Sequence, residues 1–157
     1  MQETAKRLVA LCRERSISLC TAESCTGGMI AQRLTGVPGA SEVFLGALVT
    51  YDERMKETWL GVSPETLRVH GAVSADCARE MALGARRASG ADVALSVTGF
   101  AGPGGGTERD PVGTVYFAVA DKDGCECVKT RFSGDREAVR EQACARALEL
   151  LLFAAEK

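Results

Sequence analysis

The segment Val93-Ala94-Leu95-Ser96-Val97-Thr98 constrains the fold more than any other stretch of the chain. It is a run of β-formers and small residues without a charge. A strand of this kind is stable when apolar layers cover both of its faces, as in a sheet buried between helices. The stretch that follows, Gly99 to Gly113, contains Gly99, Gly102, Gly104, Gly105, Gly106 and Gly113 with Pro103 and Pro111, and is a loop.

The rest of the chain supplies the covering layers. Residues 2 to 16 place Ala5, Leu8, Val9 and Cys12 on one face of an amphipathic helix. Ile17 to Ala22 is a short β-type run, and the helix after it runs to about Leu34, where Gly36-Val37-Pro38-Gly39 stops it. Val43 to Tyr51 is a second strand and Asp52 to Leu60 a polar helical turn. Ser63-Pro64-Glu65 opens a short helix closed by Gly71, and Ser74 caps another that ends near Ser89 and Gly90. Thr114 to Ala120 and Cys125 to Phe132 alternate around Asp121-Lys122-Asp123-Gly124, which signals a hairpin, and Asp135 caps a last helix ending near Ala155. Helices alternating with strands predict an α/β fold, with a mixed, mostly parallel sheet containing one antiparallel hairpin and helices on both faces.

With 157 residues the chain has the size of one domain, and residues 1 to 157 are expected to form it. A net charge of -2 argues against a face built for nucleic acid or an anionic membrane. The longest apolar run, Leu150 to Ala155, is far short of the ~20 residues that span a bilayer. Met1 to Ser16 lacks the apolar middle of an export signal, so a cytoplasmic location is expected. The cysteines (Cys12, Cys20, Cys25, Cys77, Cys125, Cys127, Cys144) contain no Cys-x-x-Cys pair, and His70 is the only histidine. A metal is not expected on that basis, and the glycine loop lacks the Lys-Ser/Thr ending of a P-loop and the Gly-x-Gly-x-x-Gly order of a dinucleotide site, so no cofactor is expected.

Ligands of such sheets gather at loops beyond the carboxyl ends of strands. Three segments lie there: the turn at Ser24, the turn at Tyr51 and the glycine loop after Thr98. Ser24, just before Gly27 and Gly28, has two available roles. It is a helix N-cap, the commonest use of serine at this position, or a nucleophile beside free backbone N–H groups. A nucleophilic serine needs a base, and His70, at the end of a short helix, is poorly placed. Lys56 serves if desolvation leaves it neutral. It follows Tyr51 by five positions, so both can face one crevice, with the tyrosine hydroxyl orienting or relaying the proton. Among Asp52, Glu53 and Glu57, Lys56 also fits a solvated helix face. Cys25 is a competing nucleophile if the helix N-terminus lowers its pKa. Thr98 and Arg136 have donors suited to a phosphate or carboxamide oxygen.

Taken in order, Thr21-Ala22-Glu23-Ser24-Cys25-Thr26-Gly27-Gly28, Val49-Thr50-Tyr51 with Lys56, and His70-Gly71-Ala72-Val73-Ser74 closely resemble the carboxy-terminal domain of the competence/damage-inducible CinA family. Thr98-Gly99-Phe100-Ala101-Gly102-Pro103, Pro111-Val112-Gly113-Thr114-Val115 and Phe132-Ser133-Gly134-Asp135-Arg136 extend the resemblance over essentially the whole chain. It implies a three-layer α/β/α sandwich, usually homodimeric, without the amino-terminal domain of longer relatives. It implies nicotinamide mononucleotide as substrate, hydrolysed to nicotinic acid mononucleotide and ammonia in pyridine nucleotide salvage. Ser24 is then the nucleophile, Lys56 the general base and Tyr51 a supporting hydroxyl, with backbone N–H groups from Cys25 to Gly27 as the oxyanion hole. Thr26, Gly27, Gly28, Ser41, Thr98, Gly99, Gly102 and Arg136 are expected on the substrate side. The competing expectation is a nucleotide-binding or regulatory module of the same fold that does not turn over.

Overall fold

The uncharged strand is indeed central. The computed structural model describes residues 1–157 and contains a five-stranded sheet. In chain order the elements are α1 (Gln2–Arg15), β1 (Leu19–Glu23), α2 (Met29–Thr35), a 3-10 turn (Ala40–Glu42), β2 (Phe44–Val49), α3 (Glu53–Leu60) and α4 (Pro64–His70). They continue with α5 (Ala75–Ser89), β3 (Val93–Gly99), β4 (Thr114–Ala120), β5 (Cys125–Arg131) and α6 (Arg136–Glu156). The strand order is β2-β1-β3-β4-β5. The first three strands run parallel; β4 is antiparallel to both β3 and β5. Four of the five strands therefore point the same way, and the hairpin supplies the reversal.

Local chemistry explains most boundaries. Ser63, Ser74 and Asp135 cap their helices through side-chain oxygens that accept backbone N–H bonds. Asp52 does the same for α3, so that helix begins one residue later than the composition suggests. The second helix begins at Met29, because Gly27 and Gly28 both adopt positive φ (59° and 97°), a region costly for any residue with a Cβ.

β3 is buried on both faces, as its sequence requires. Leu95 and Val97 face the core beneath α1, α2 and α6, together with Leu8, Ile30, Phe117 and Leu148. On the other face, Ala94 joins Cys20, Ala22, Leu60 and Met81 beneath α3 and α5. Cys12, Cys20, Cys77 and Cys144 are buried, as their apolar neighbours predict. Gly84 of α5 fixes where α3 can lie: the Leu60 carbonyl packs so close that any Cβ there would collide with it. No helix is long and apolar enough to cross a membrane.

Candidate active site

Side-chain alternation along β1 places the first functional group. Cys20 and Ala22 point toward α3 and α5, Glu23 points toward α2, and Ser24 returns to the α3 side. The Ser24 N–H donates to the Val97 carbonyl at 3.0 Å, which carries the sheet pairing one residue past the strand. α3, which starts where β2 ends, brings its first turn over the same point. There the Lys56 Nζ lies 3.0 Å from Ser24 Oγ.

Lys56 is the largest side chain in the molecule that is almost wholly buried, with 1% exposure. Its nitrogen has two further contacts, the Thr50 carbonyl at 2.6 Å and the Tyr51 carbonyl at 3.2 Å. No carboxylate bonds it. An ammonium removed from water without an anionic partner is strongly disfavoured, and burial accordingly lowers the pKa of Lys56 from the ordinary lysine range. A neutral amine fits the three contacts: its two N–H groups go to the two carbonyls, and its lone pair accepts the Ser24 hydroxyl proton. The solvated-lysine alternative is thus excluded. So is the N-cap alternative for Ser24, because Gly28 occupies the N-cap position of α2.

The turn that carries Ser24 is held from beneath by Glu23, a residue that the sequence did not single out. Its fully buried carboxylate accepts from Gly28 N at 3.0 Å, Ile30 N at 3.2 Å, Ala31 N at 2.9 Å and Thr26 Oγ1 at 2.7 Å. It therefore takes up the donors at the start of α2, where a carboxylate is favoured. The sequence signal was there: an acidic residue just before a Gly-Gly helix start. Gly27 N closes the turn onto the Ser24 carbonyl at 3.0 Å. Of the three expected oxyanion donors, Cys25 N–H and Thr26 N–H remain without an acceptor in the protein, and Gly27 N–H does not.

The other expected residues divide. Arg136 donates to the Gly102 carbonyl at 2.7 Å and to the Tyr51 hydroxyl at 3.0 Å, so it ties the glycine loop to the turn after β2. Tyr51 is 63% exposed, and its hydroxyl bonds Arg136 rather than bridging Ser24 and Lys56, which contact each other directly. Thr98 is buried beside the turn with its hydroxyl committed to the Ala72 carbonyl at 2.7 Å. Gly99 lies against Thr114 and Val115 of β4. The Thr26 side chain points inward to Glu23, leaving only its backbone for a substrate. Ser41 is not brought to the site. It is exposed in the 3-10 turn before β2, at the end of the sheet away from Ser24, because β1 and β2 are parallel.

The rival nucleophile fares poorly. Cys25 is 6% exposed, and burial pushes its thiol up to about 11, away from the thiolate that a nucleophile needs. His70 faces Asp76 at 3.5 Å at the far end of α4 and contacts neither member of the dyad. Two cavities of about 320 and 340 Å³ flank the hairpin turn and the end of α6, and neither contains a dyad residue.

Comparison with known proteins gives this arrangement a context. The model of the CinA C-terminal domain matches residues 1–154. A CinA-like protein of Geobacter sp. (strain M21) is 53% identical over 150 residues, which cover 96% of this chain and 36% of that protein. One from Myxococcus xanthus (strain DK1622) is 53% identical over 140 residues, covering 88% of this chain and 33% of that protein. The chain spans about a third of the length of these curated relatives. Among solved structures, the competence/damage inducible protein CihA from Agrobacterium tumefaciens is 40% identical. It superposes with a TM-score of 0.95 over 99% of this chain and 95% of that one. A CinA superfamily protein from Klebsiella pneumoniae 700603 is 38% identical, with a TM-score of 0.94 over 99% and 97% of the two chains. Family-model match, sequence identity and overall superposition agree, and the chain belongs to the CinA C-terminal domain family.

Proposed function

We propose that this chain is an amidohydrolase that converts nicotinamide mononucleotide and water to nicotinic acid mononucleotide and ammonia. One observation carries the chemistry: a buried lysine amine, held by two carbonyls and no carboxylate, sits 3.0 Å from a serine hydroxyl. The choice of substrate rests on the CinA resemblance. It is supported by a site mouth that offers an exposed aromatic ring, Tyr51, beside the guanidinium of Arg136. A flat heteroaromatic ring bearing an anionic group suits both.

The reaction runs in two halves. Neutral Lys56 takes the proton of Ser24 Oγ as that oxygen attacks the carboxamide carbon. The carboxamide oxygen becomes an oxyanion in front of Cys25 N–H and Thr26 N–H, donors that need no reorganisation. Lys56 returns its proton to the leaving nitrogen, the C–N bond breaks, ammonia departs and an ester to Ser24 remains. Water then gives a proton to Lys56 and attacks the ester carbon. As the second tetrahedral intermediate collapses, Ser24 leaves with the proton from Lys56, and the carboxylate product is released.

A homodimer is the proposed assembly. β2 is an uncharged edge strand with Leu45 and Val49 exposed, the type of edge on which another strand pairs. Light scattering is expected to give the mass of two chains. For the activity, the direct experiment is ammonia release from nicotinamide mononucleotide and from nicotinamide, side by side. Release from the nucleotide in clear excess over nicotinamide is expected. No release from either contradicts the proposal.

A further inference from the structure

The two free N–H groups can act as an oxyanion hole only if the turn bearing them keeps one conformation, and neither the Ser24 hydroxyl nor the Lys56 amine bonds the carbonyls of that turn. Arg140, in the second turn of α6, reaches it from the opposite helical layer. Its Nε donates to the Cys25 carbonyl at 3.1 Å and its Nη2 to the Thr26 carbonyl at 3.2 Å. Its Nη1 bonds the Glu137 carboxylate at 2.8 Å, so every nitrogen of the guanidinium is engaged, and the side chain is 26% exposed. The geometry of the peptide bond turns these contacts into orientation. In a trans peptide the C=O and the next N–H point in opposite directions. The Cys25 carbonyl drawn toward Arg140 therefore sends the Thr26 N–H away from it. The Thr26 carbonyl drawn the same way directs the Gly27 N–H, which bonds the Ser24 carbonyl. That bond in turn aims the Cys25 N–H.

We propose that Arg140 is a positioning residue that sets both oxyanion donors through the carbonyls it holds. Its bonds go to neither member of the dyad, and the inference rests on Ser24 and Lys56 acting as proposed above. A lysine, with one point charge on a flexible stem, cannot reproduce a fork across two carbonyls. Losing a preorganised oxyanion donor typically lowers turnover by about 10²–10³-fold. A comparable loss is expected in Arg140→Ala, with KM little changed.

The test uses a fluorophosphonate, which reports on the nucleophile without needing the nicotinamide ring. Ser24 Oγ forms a bond to phosphorus, fluoride leaves, and Lys56 takes the serine proton. The labelling rate is followed in wild type, Arg140→Ala, Arg140→Lys and Ser24→Ala. Arg140→Ala is expected to label about 10²-fold more slowly than wild type, with the pH inflection of the rate unmoved. Millimolar guanidinium ion is expected to restore at least part of the rate in Arg140→Ala and to leave wild type unchanged. If Arg140→Ala does not fold, Arg140→Lys carries the same comparison, with an intermediate loss expected. Labelling of either folded variant at the wild-type rate overturns the proposal. So does a slow Arg140→Ala that guanidinium does not rescue and whose pH inflection has shifted. Wild type labelling no faster than Ser24→Ala contradicts the nucleophile itself, a distinct result that removes both readings.

Discussion

Lys56 and Lys129 both hold their nitrogens against oxygen atoms, yet the two surroundings drive their charge in opposite directions. Lys129 Nζ lies 2.6 Å from the Asp110 carboxylate and over the Tyr116 ring, whose hydroxyl also donates to Asp110. Its hydrogen bond to Asp110 raises its pKa, so the ammonium is stabilised. Lys56 makes contacts just as short, but to two carbonyls and a hydroxyl, and it is buried; burial lowers its pKa. Proximity to oxygen is thus not what distinguishes a base from an ion-pair partner. The distinction lies in whether the oxygen carries a formal charge and whether water reaches the nitrogen.

The sharpest way to break this contrast is at the serine. Ser24→Ala removes the atom that attacks, and ammonia release is expected to fall by about 10⁴-fold or more, with circular dichroism unchanged. Next is Lys56→Met, which keeps the volume and removes the base. Turnover is expected to fall by about 10²–10⁴-fold. In wild type, kcat/KM should rise with pH through an inflection below the ordinary lysine range, and Lys56→Met should lose that inflection.

The same substitution gives a stability test with a defined sign. Because the folded pKa of Lys56 is lowered, the unfolded chain binds more protons between the folded and unfolded values, and wild type gains stability as pH rises through that window. Relative to wild type, Lys56→Met should therefore be favoured most at lower pH, and the gap should close toward the ordinary lysine range. Denaturant titrations across pH measure it. A gap independent of pH contradicts a depressed pKa.

Smaller effects separate the surrounding residues. Tyr51→Phe removes one exposed partner of Arg136, and a loss of less than about tenfold is expected. A loss approaching that of Lys56→Met would restore the relay that the geometry disfavours. Lys129→Met should change turnover by less than about twofold, since its partners are separate from those of the dyad.

What the sequence made legible follows the range of the physics involved. The central strand Val93 to Thr98 and the caps at Ser63, Ser74 and Asp135 are decided by neighbours in the chain, and they appear as expected. The environment of Lys56 is decided otherwise. Asp52, Glu53 and Glu57 make its local sequence that of a solvated helix, and only the docking of α3 on α5 through Leu60 and Gly84 buries it. Glu23 and Arg140 likewise gain their roles from a turn that exists only in the folded chain. Thr26 has the right position in the chain and the wrong direction, because Glu23 draws its hydroxyl inward. Ser41 is close to Ser24 in sequence, but one parallel strand crossing places it at the other end of the sheet.

The proposed reaction requires Lys56 to be neutral near Ser24. The lysines of the chain are Lys6, Lys56, Lys122, Lys129 and Lys157, few enough to resolve by NMR of protein labelled with ¹³C at lysine Cε. A pH titration of these signals, assigned with Lys56→Met, is the most direct measurement. One signal, absent from Lys56→Met, is predicted to titrate below the ordinary lysine range, and that of Lys129 above it. A Lys56 signal that titrates in the ordinary lysine range would contradict it.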